Sequence, residues 1–224
     1  MEKNEEPFYL EENGTLIYQT SAWLSKQEAD SLFADLIKQV PWMKKFNPRF
    51  EVDEPRLSCG IGDGIDGRGN PIVHHYSGTS TPQINWDSTK YPVLKRVREL
   101  RDRIEQETGL FHDSASLQLY RTGDDYIGEH ADLELKPSIS RIWDIESNET
   151  VYALSLGASR RFFLRNKEDK SRRMTFMVNH GDMLAMEGKC QQQFTHGVPK
   201  MSNKANPIGP RISITWRLLG EWDF

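Results

Sequence analysis

Two stretches of the N-terminal half carry apolar residues at helical spacing. The first follows Ser25 and Glu28, whose types and spacing form a capping box, and it ends before Pro41. The second follows Pro92 and ends at Gly109, a residue suited to a helix C-cap. These patterns predict two amphipathic helices, whose apolar stripes are Ala29, Leu32, Phe33, Leu36, Ile37 and Val40 in the first and Val93, Leu94, Val97, Leu100 and Ile104 in the second.

Beyond residue 114 the hydrophobic pattern changes from helical spacing to alternation. In residues 115–121, Leu117 and Leu119 share one predicted face, and Gln118 and Tyr120 share the other. Two helices followed by many short strands favour an α+β fold with a double-stranded β-helix (jelly roll) core. Residues 1–13 are polar and acidic, so we expect a flexible N-terminal arm at 1–13 and a single domain at 14–224. Further strands are predicted at 15–19, 150–157, 160–165, 174–179, 182–187, 193–198 and 211–219, and short strands with mobile loops at 42–70.

Composition narrows the class of protein. The chain has 224 residues and a mean hydropathy of −0.68, and we see no apolar run approaching the roughly 20 residues of a membrane span. The N-terminus lacks a basic and then apolar signal, so we expect an intracellular protein, in the nucleus or cytoplasm, without membrane contact. Cys59 and Cys190 are too few for a disulfide framework and are expected to be reduced thiols. We further expect a monomer.

Charge is unevenly distributed along the chain. The formal net charge of −4 argues against a general basic nucleic-acid binder. Residues 159–217, however, hold twelve Lys and Arg and four Asp and Glu, a net +8, so the remainder carries −12. This asymmetry suggests a positive face for an anionic partner, although a solvated surface without a partner explains it equally well.

His130 and Asp132 form an H-x-D triplet, and His196 lies far downstream. Two histidines and one carboxylate are the facial triad of non-haem Fe(II) oxygenases. The triplet alone is more often a surface turn, but His196 and the late Arg211 and Arg217 supply what this chemistry also needs: a third ligand and fixed cations for a dicarboxylate. The adjacent histidines His74 and His75 are a poor metal site, because adjacent strand residues point to opposite faces.

Residues 211–217, RISITWR, alternate in character. Arg211, Ser213, Thr215 and Arg217 share one predicted face, opposite the apolar residues. Buried arginines are rare unless paired. A dicarboxylate held by bidentate hydrogen bonds would satisfy both guanidinium groups, and internal carboxylates are the alternative.

With these residues in view, the sequence resembles the AlkB family of Fe(II)- and 2-oxoglutarate-dependent dioxygenases, most closely the eukaryotic type that repairs duplex DNA. The resemblance implies an enzyme that uses Fe(II), 2-oxoglutarate and O2 to demethylate N-alkylated bases such as 1-methyladenine and 3-methylcytosine, releasing formaldehyde, succinate and CO2. It favours nucleic acid as partner, and DNA over RNA. The motifs that carry it are YSG (76–78), YRTGDDYIGEHADLE (120–134), LSLGASRRFFLR (154–165), HGDMLAMEG (180–188), THGVPK (195–200) and PRISITWR (210–217).

The resemblance also implies roles for individual residues. His130, Asp132 and His196 would bind iron and form the catalytic centre. Tyr120, Arg211 and Arg217 would hold 2-oxoglutarate, together with Gln118 and Ser213, which stand where the family has Asn. Substrate would be contacted by Tyr76, by His74, which replaces an aromatic residue, by Glu134, and by a basic loop that would clamp phosphates, comprising Arg165, Lys167, Lys170, Arg172 and Arg173.

Two regions depart from the family pattern where substrate would bind. Residues 138–149 look like an insertion that carries Trp143, and residues 46–56 are short and acidic where relatives have a wedge that enters the duplex. A second hypothesis therefore keeps the oxygenase chemistry but directs it at a small molecule or another polymer. A binding module without turnover is a third, less favoured because the three ligands and both arginines are present.

Overall fold

The structure is a computed structural model. It describes residues 6–48, 51–76, 79–132, 150–201, 205 and 207–220, with the backbone alone for 74–76 and 79–82. Three helices lie in these ranges: α1 (Lys26–Gln39), α2 (Val93–Thr108) and the single-turn α3 (Cys190–Gln193). Among these residues, no helix is long and apolar enough to cross a membrane.

Both predicted helices are confirmed. The Ser25 hydroxyl accepts a hydrogen bond from the Glu28 amide, and the Glu28 carboxylate accepts one from the Ser25 amide, which completes the capping box of α1. Gly109 ends α2 with a φ of 74°, a left-handed conformation that glycine adopts without a steric penalty. Pro92 is the N-cap of α2 and immediately precedes its first residue, Val93.

The strands of the described residues form two main sheets and a two-stranded sheet. Their bounds are β1 (Tyr9–Glu12), β2 (Thr15–Thr20), β3 (Met43–Asn47), β4 (Val52–Gly62), β5 (Val73–Tyr76), β6 (Thr79–Pro82), β7 (Ile84–Asn85), β8 (Ser114–Tyr120), β9 (Ile127–His130), β10 (Val151–Gly157), β11 (Arg160–Asn166), β12 (Arg173–Val178), β13 (Met183–Gly188), β14 (Phe194–Val198) and β15 (Arg211–Arg217). The larger sheet runs in the order β1-β2-β13-β10-β15-β8-β4-β3, with β7 parallel to β4, and the smaller in the order β12-β11-β14-β9. β5 pairs with β6.

Two sequence-based predictions need correction. Residues 9–12, placed in a flexible arm, form β1, which pairs with β2 from Tyr9↔Tyr18 to Glu12↔Thr15. In addition, residues 52–62 form one strand of 11 residues, where short strands and mobile loops were expected. Its glycines and acidic residues obscured the alternation, while pairing with β8 supplies the hydrogen bonds that hold it extended.

The larger sheet lies between two apolar layers. One face packs against α1 and α2 through residues such as Leu36, Val97, Leu117 and Ile214. The other face meets the smaller sheet through residues that include Ala153, Phe162, Leu164, Leu184 and Phe194. This sheet-on-sheet core with helices outside confirms the predicted α+β class with a jelly-roll core.

Leu117→Ala should lower the free energy of unfolding by about 2–5 kcal/mol. Leu117 is fully buried in β8, between β4 and β15, so the smaller side chain leaves a cavity. Urea denaturation measures the change, and Glu99→Ala on α2 is the control. A loss below 0.5 kcal/mol, on the order of an ordinary surface substitution, would contradict the assigned core.

Candidate metal and 2-oxoglutarate site

The two histidines of the predicted triad are brought together by strand pairing. His130 is the last residue of β9, and the β9–β14 register places it directly opposite His196. Their ring centroids are 4.4 Å apart. The His130 Nδ1 lies 2.9 Å from the Gly128 carbonyl oxygen, which can only accept, so Nδ1 carries the proton and Nε2 is left to face the cluster. This tautomer suits a metal ligand.

Asp132 completes the cluster from outside the ladder. Its carboxylate oxygens lie 3.5 Å from His130 Nε2 and 3.4 Å from His196 Nε2. One ligand atom from each of the three residues falls within 4.8 Å of the others. Residues two positions apart on one strand share a face, which by itself would place His130 and Asp132 on the same side. Both do lie at the cluster, but β9 ends at His130, so the position of Asp132 has another cause.

Arg217 determines the charge state of Asp132. Burial by itself would raise the pKa of this carboxyl, but the Arg217 guanidinium, followed by His196, holds the pKa well below its usual value. Arg217 Nη2 donates to Asp132 Oδ1 at 2.7 Å. The carboxylate is therefore ionised, as a metal ligand must be. Burial lowers the pKa of His196, which favours its neutral, ligating form.

Arg211 lies in the same pocket at the other end of β15. Its Nη2 donates to Ser155 Oγ at 2.8 Å and to Ser213 Oγ at 3.4 Å, and its guanidinium lies 5.1 Å from the centre of the Tyr120 ring. Its Nε and Nη1 are buried and make no hydrogen bond to any described residue. Burial lowers the pKa of Arg211, and Tyr120 opposes that shift. A buried cation with two unused donors is suited to an anionic ligand.

Gln118 and Tyr120 lie opposite Ser213 and Arg211 in the β8–β15 register. Gln118 Oε1 accepts from the Tyr120 hydroxyl at 2.9 Å and from Arg56 Nε at 3.2 Å. Arg56 is itself buried beside Glu54, 3.3 Å away. Gln118 is thus fixed in orientation by two donors.

The pocket lies between the two sheets and opens to solvent, with about 450 Å³ of non-atom space that includes its open mouth. The triad, Gln118, Tyr120 and the polar face of β15 line it, as the alternation of residues 211–217 predicted. Its other walls are largely apolar, which keeps water from the reacting centre. These walls include Ile127, Phe162, Val178, Leu184, Met186 and Val198.

These residues fit an iron ion and 2-oxoglutarate. Two imidazoles and an ionised carboxylate are a suitable donor set for Fe(II). The unused donors of Arg211, together with neighbouring hydroxyl groups, match a carboxylate of 2-oxoglutarate. Arg217 differs from the sequence-based expectation in one respect, because an internal carboxylate, Asp132, is already its partner.

The basic loop between β11 and β12 is partly engaged within the chain. Arg172 makes two hydrogen bonds to the Glu12 carboxylate, at 2.6 and 2.5 Å. Arg165 lies 3.4 Å from Glu129, and the Lys167 ammonium donates to the Gln191 carbonyl at 2.7 Å. Lys170 is exposed, and the exposed Arg173 guanidinium lies 4.3 Å from the centre of the Phe163 ring. Lys170 and Arg173 are thus the members best placed to meet a phosphate.

Other predicted substrate residues lie partly or wholly outside the described residues. His74 and Tyr76 belong to β5, whose pairing with β6 is defined, but their side chains are not described. Glu134 and residues 138–149 fall outside the described ranges. Their roles stay predictions.

Several residues at the site escaped sequence reasoning. Ser155 accepts from Arg211, Arg56 holds Gln118, and the Phe162 ring stacks on His196 at 5.5 Å with 17° between planes. The inward parity of Ser155 in β10 was a usable signal, because it interrupts an otherwise apolar strand. Arg56 gave no such signal.

Comparisons with known proteins agree with this geometry. The family model of the 2OG-Fe(II) oxygenase superfamily matches residues 16–217. The chain is 34% identical over 202 residues to alpha-ketoglutarate-dependent dioxygenase alkB homolog 3 of Bos taurus and 32% identical to that of Homo sapiens, in each case over 85% of this chain and 62% of the relative. It is 28% identical over 204 residues to DNA oxidative demethylase ALKBH2 of Bos taurus, over 86% of this chain and 65% of that protein.

A solved structure, that of OsALKBH1, shares the fold. It superimposes with a TM-score of 0.57 at 15% identity and covers 95% of this chain and 99% of its own. The chain thus belongs to the 2OG-Fe(II) oxygenase superfamily, and the curated relatives named above are AlkB-type dioxygenases. Fe(II), 2-oxoglutarate and O2 are the metal, co-substrate and oxidant that this membership implies. The chain spans a little under two thirds of the length of these curated relatives.

Proposed function

We propose that this protein oxidatively demethylates N-alkylated bases of the 1-methyladenine and 3-methylcytosine type in nucleic acid, with DNA favoured over RNA. The observation that carries the proposal is the meeting of three metal-ligating side chains with Arg211 in one pocket. The names of the relatives, which include a DNA oxidative demethylase, supply the substrate class.

Each part of the pocket has a role in this reaction. His130, Asp132 and His196 would hold Fe(II), while Arg211, Ser213, Tyr120, Gln118 and Arg217 would hold 2-oxoglutarate. When bound, the metal and co-substrate supply the activation of O2 and the oxidation of the methyl group, with 2-oxoglutarate converted to succinate and CO2. The apolar walls exclude water, and the hydrogen bonds around Gln118 and Arg211 orient the co-substrate before reaction.

The substrate base must leave its stack to reach a site between the two sheets. His74 and Tyr76 on β5, and Glu134, are the proposed contacts to the extruded base. Lys170 and Arg173 would hold the phosphate backbone, a contact that positions a strand without reading its sequence. We further propose an intracellular monomer, in the nucleus or cytoplasm.

The test is an aerobic incubation with Fe(II), 2-oxoglutarate and ascorbate, using single- and double-stranded DNA and RNA oligonucleotides that carry 1-methyladenine or 3-methylcytosine. Mass spectrometry measures methyl loss, and succinate is measured in parallel. We expect methyl loss that requires both iron and 2-oxoglutarate. The absence of both methyl loss and succinate, with protein that is folded and metal-loaded, would refute the proposal.

A second candidate keeps the oxygenase chemistry but acts on a small molecule. The pairing of Arg172 with Glu12 and of Arg165 with Glu129 favours it, since these ion pairs reduce the positive charge available to a polyanion. Succinate formed without methyl loss from any oligonucleotide would select this alternative.

Replacing both Lys170 and Arg173 with Ala should weaken nucleic-acid binding. It should also make the negative slope of log K against log salt less steep by about 2, roughly 0.9 for each duplex phosphate that the variant no longer neutralises. Fluorescence anisotropy at several salt concentrations measures both. The control is Lys38→Ala with Lys95→Ala, which removes the same charge from exposed positions on α1 and α2. Equal slopes for the two double variants would exclude the loop as a phosphate-binding element.

A further inference from the structure

Gln191 is a fully buried polar residue next to the metal-ligand cluster. It lies in α3, the single turn between β13 and the strand that carries His196. Its side chain is 0% exposed, and its Oε1 accepts a hydrogen bond from the backbone N–H of Asp132 at 2.9 Å. Because the amide oxygen is the group of this side chain that can accept, the contact fixes its orientation.

The backbone of Asp132 has need of such a partner. β9 ends at His130, so no β-ladder bond holds the Asp132 N–H, and the Gln191 side chain supplies the partner for this part-buried amide. The Asp132 carboxylate is held at its other end by Arg217. Gln191 and Arg217 thus both hydrogen-bond to Asp132, Gln191 to its backbone N–H and Arg217 to its carboxylate.

Gln191 is itself firmly placed. Its Nε2 donates to Met186 Sδ at 3.8 Å, and its backbone carbonyl accepts from the Lys167 ammonium at 2.7 Å. The Lys167 amide donates to the Gln193 carbonyl at 2.8 Å. The turn is therefore fastened to β13 on one side and to the β11–β12 loop on the other.

We propose that Gln191 is a positioning residue for the metal site: its side-chain oxygen fixes the backbone of Asp132 so that the carboxylate meets His130 and His196. This inference rests on the metal site of the proposed function. Partners behind metal ligands commonly change metal affinity about 10- to 100-fold when they are lost.

The first test measures binding of Mn(II) alone, without nucleic acid or turnover, by electron paramagnetic resonance. Gln191→Met keeps the length of the side chain but removes the amide acceptor, and it should weaken Mn(II) binding about 10-fold or more. Gln192→Met makes the same change at the neighbouring exposed position and should bind as the unaltered protein does. Circular dichroism establishes that both variants are folded. Gln191→Met that binds Mn(II) with unaltered affinity would overturn the proposal.

Two further measurements, both of hydrogen exchange at the Asp132 amide, test the proposal even if Gln191→Met does not fold. Gln191→Glu retains an acceptor oxygen at the same position and should keep the Asp132 amide protected from hydrogen exchange. In the unaltered protein, the exchange rate of that amide should be lower than that of an unstructured amide by a factor of about ten or more. Free exchange of the Asp132 amide in the unaltered protein would overturn the proposal by itself.

Failure of this inference is distinguishable from failure of the proposed function. If the unaltered protein binds Mn(II), Asp132→Ala abolishes that binding and Gln191→Met does not weaken it, the metal site stands and the positioning role is wrong. If the unaltered protein binds no Mn(II), the metal site itself is wrong, and this inference falls with it.

Discussion

Asp132→Ala should reduce 2-oxoglutarate turnover by ~100-fold or more, beyond the range typical of residues that only support a metal ligand. The substitution removes the carboxylate of the triad and leaves Arg217, its 2.7 Å partner, without that counter-charge beside two imidazoles. A divalent metal would then meet a site with one ligand fewer and more positive charge. Succinate formation under saturating Fe(II) measures the loss.

Asp124→Ala is the matched control, because Asp124 is exposed in the loop before β9. It should leave turnover unchanged. Full turnover in Asp132→Ala would show that the His130, Asp132 and His196 cluster is not the reactive centre, whatever the family resemblance implies.

Arg211→Met should raise the KM for 2-oxoglutarate by about 30-fold to several thousand-fold, since losing one partner of a buried, hydrogen-bonded charge pair costs roughly 2–5 kcal/mol. Arg211 is buried, and its Nε and Nη1 have no hydrogen-bond partner among the described residues, so the co-substrate is the expected acceptor. Methionine retains apolar contact with Tyr120 but supplies no charge. Initial rates over a range of 2-oxoglutarate concentrations give the change.

Arg161→Met is the corresponding control, an exposed arginine on β11 that lies outside the pocket lining. Its KM should match that of the unaltered protein. Equal KM values for the two variants would assign co-substrate binding to residues other than Arg211.

Local patterns accounted for much of the fold and for part of the site. The capping box at Ser25 and Glu28 fixed the start of α1, and alternation in residues 211–217 identified which side chains of β15 line the pocket. Both signals depend on residues a few positions apart, so they survive any arrangement of the rest of the chain. Residues 9–12 gave a weak signal, because an edge strand with acidic residues looks like a solvated arm until its partner β2 is known.

The partners of the charged residues could not be read from the sequence. Arg172 was expected to face phosphate, yet it binds Glu12, 160 positions away. Arg217 was expected to face a dicarboxylate, yet Asp132 is already bound to it. Opposite charges abound in the chain, and sequence spacing says nothing about which of them meet once the sheets pack.

The sequence by itself determined the types of ligand available and the face of each strand on which they lie, because side chains alternate along an extended backbone whatever that strand pairs with. Tertiary structure alone decided that His130 pairs with His196, that Arg217 ionises Asp132, and that Gln191 reaches the Asp132 backbone. The last two of these contacts join residues that are 85 and 59 positions apart. They exist because two sheets bury their apolar faces together, and that long-range packing brings the polar groups at their edges into one pocket.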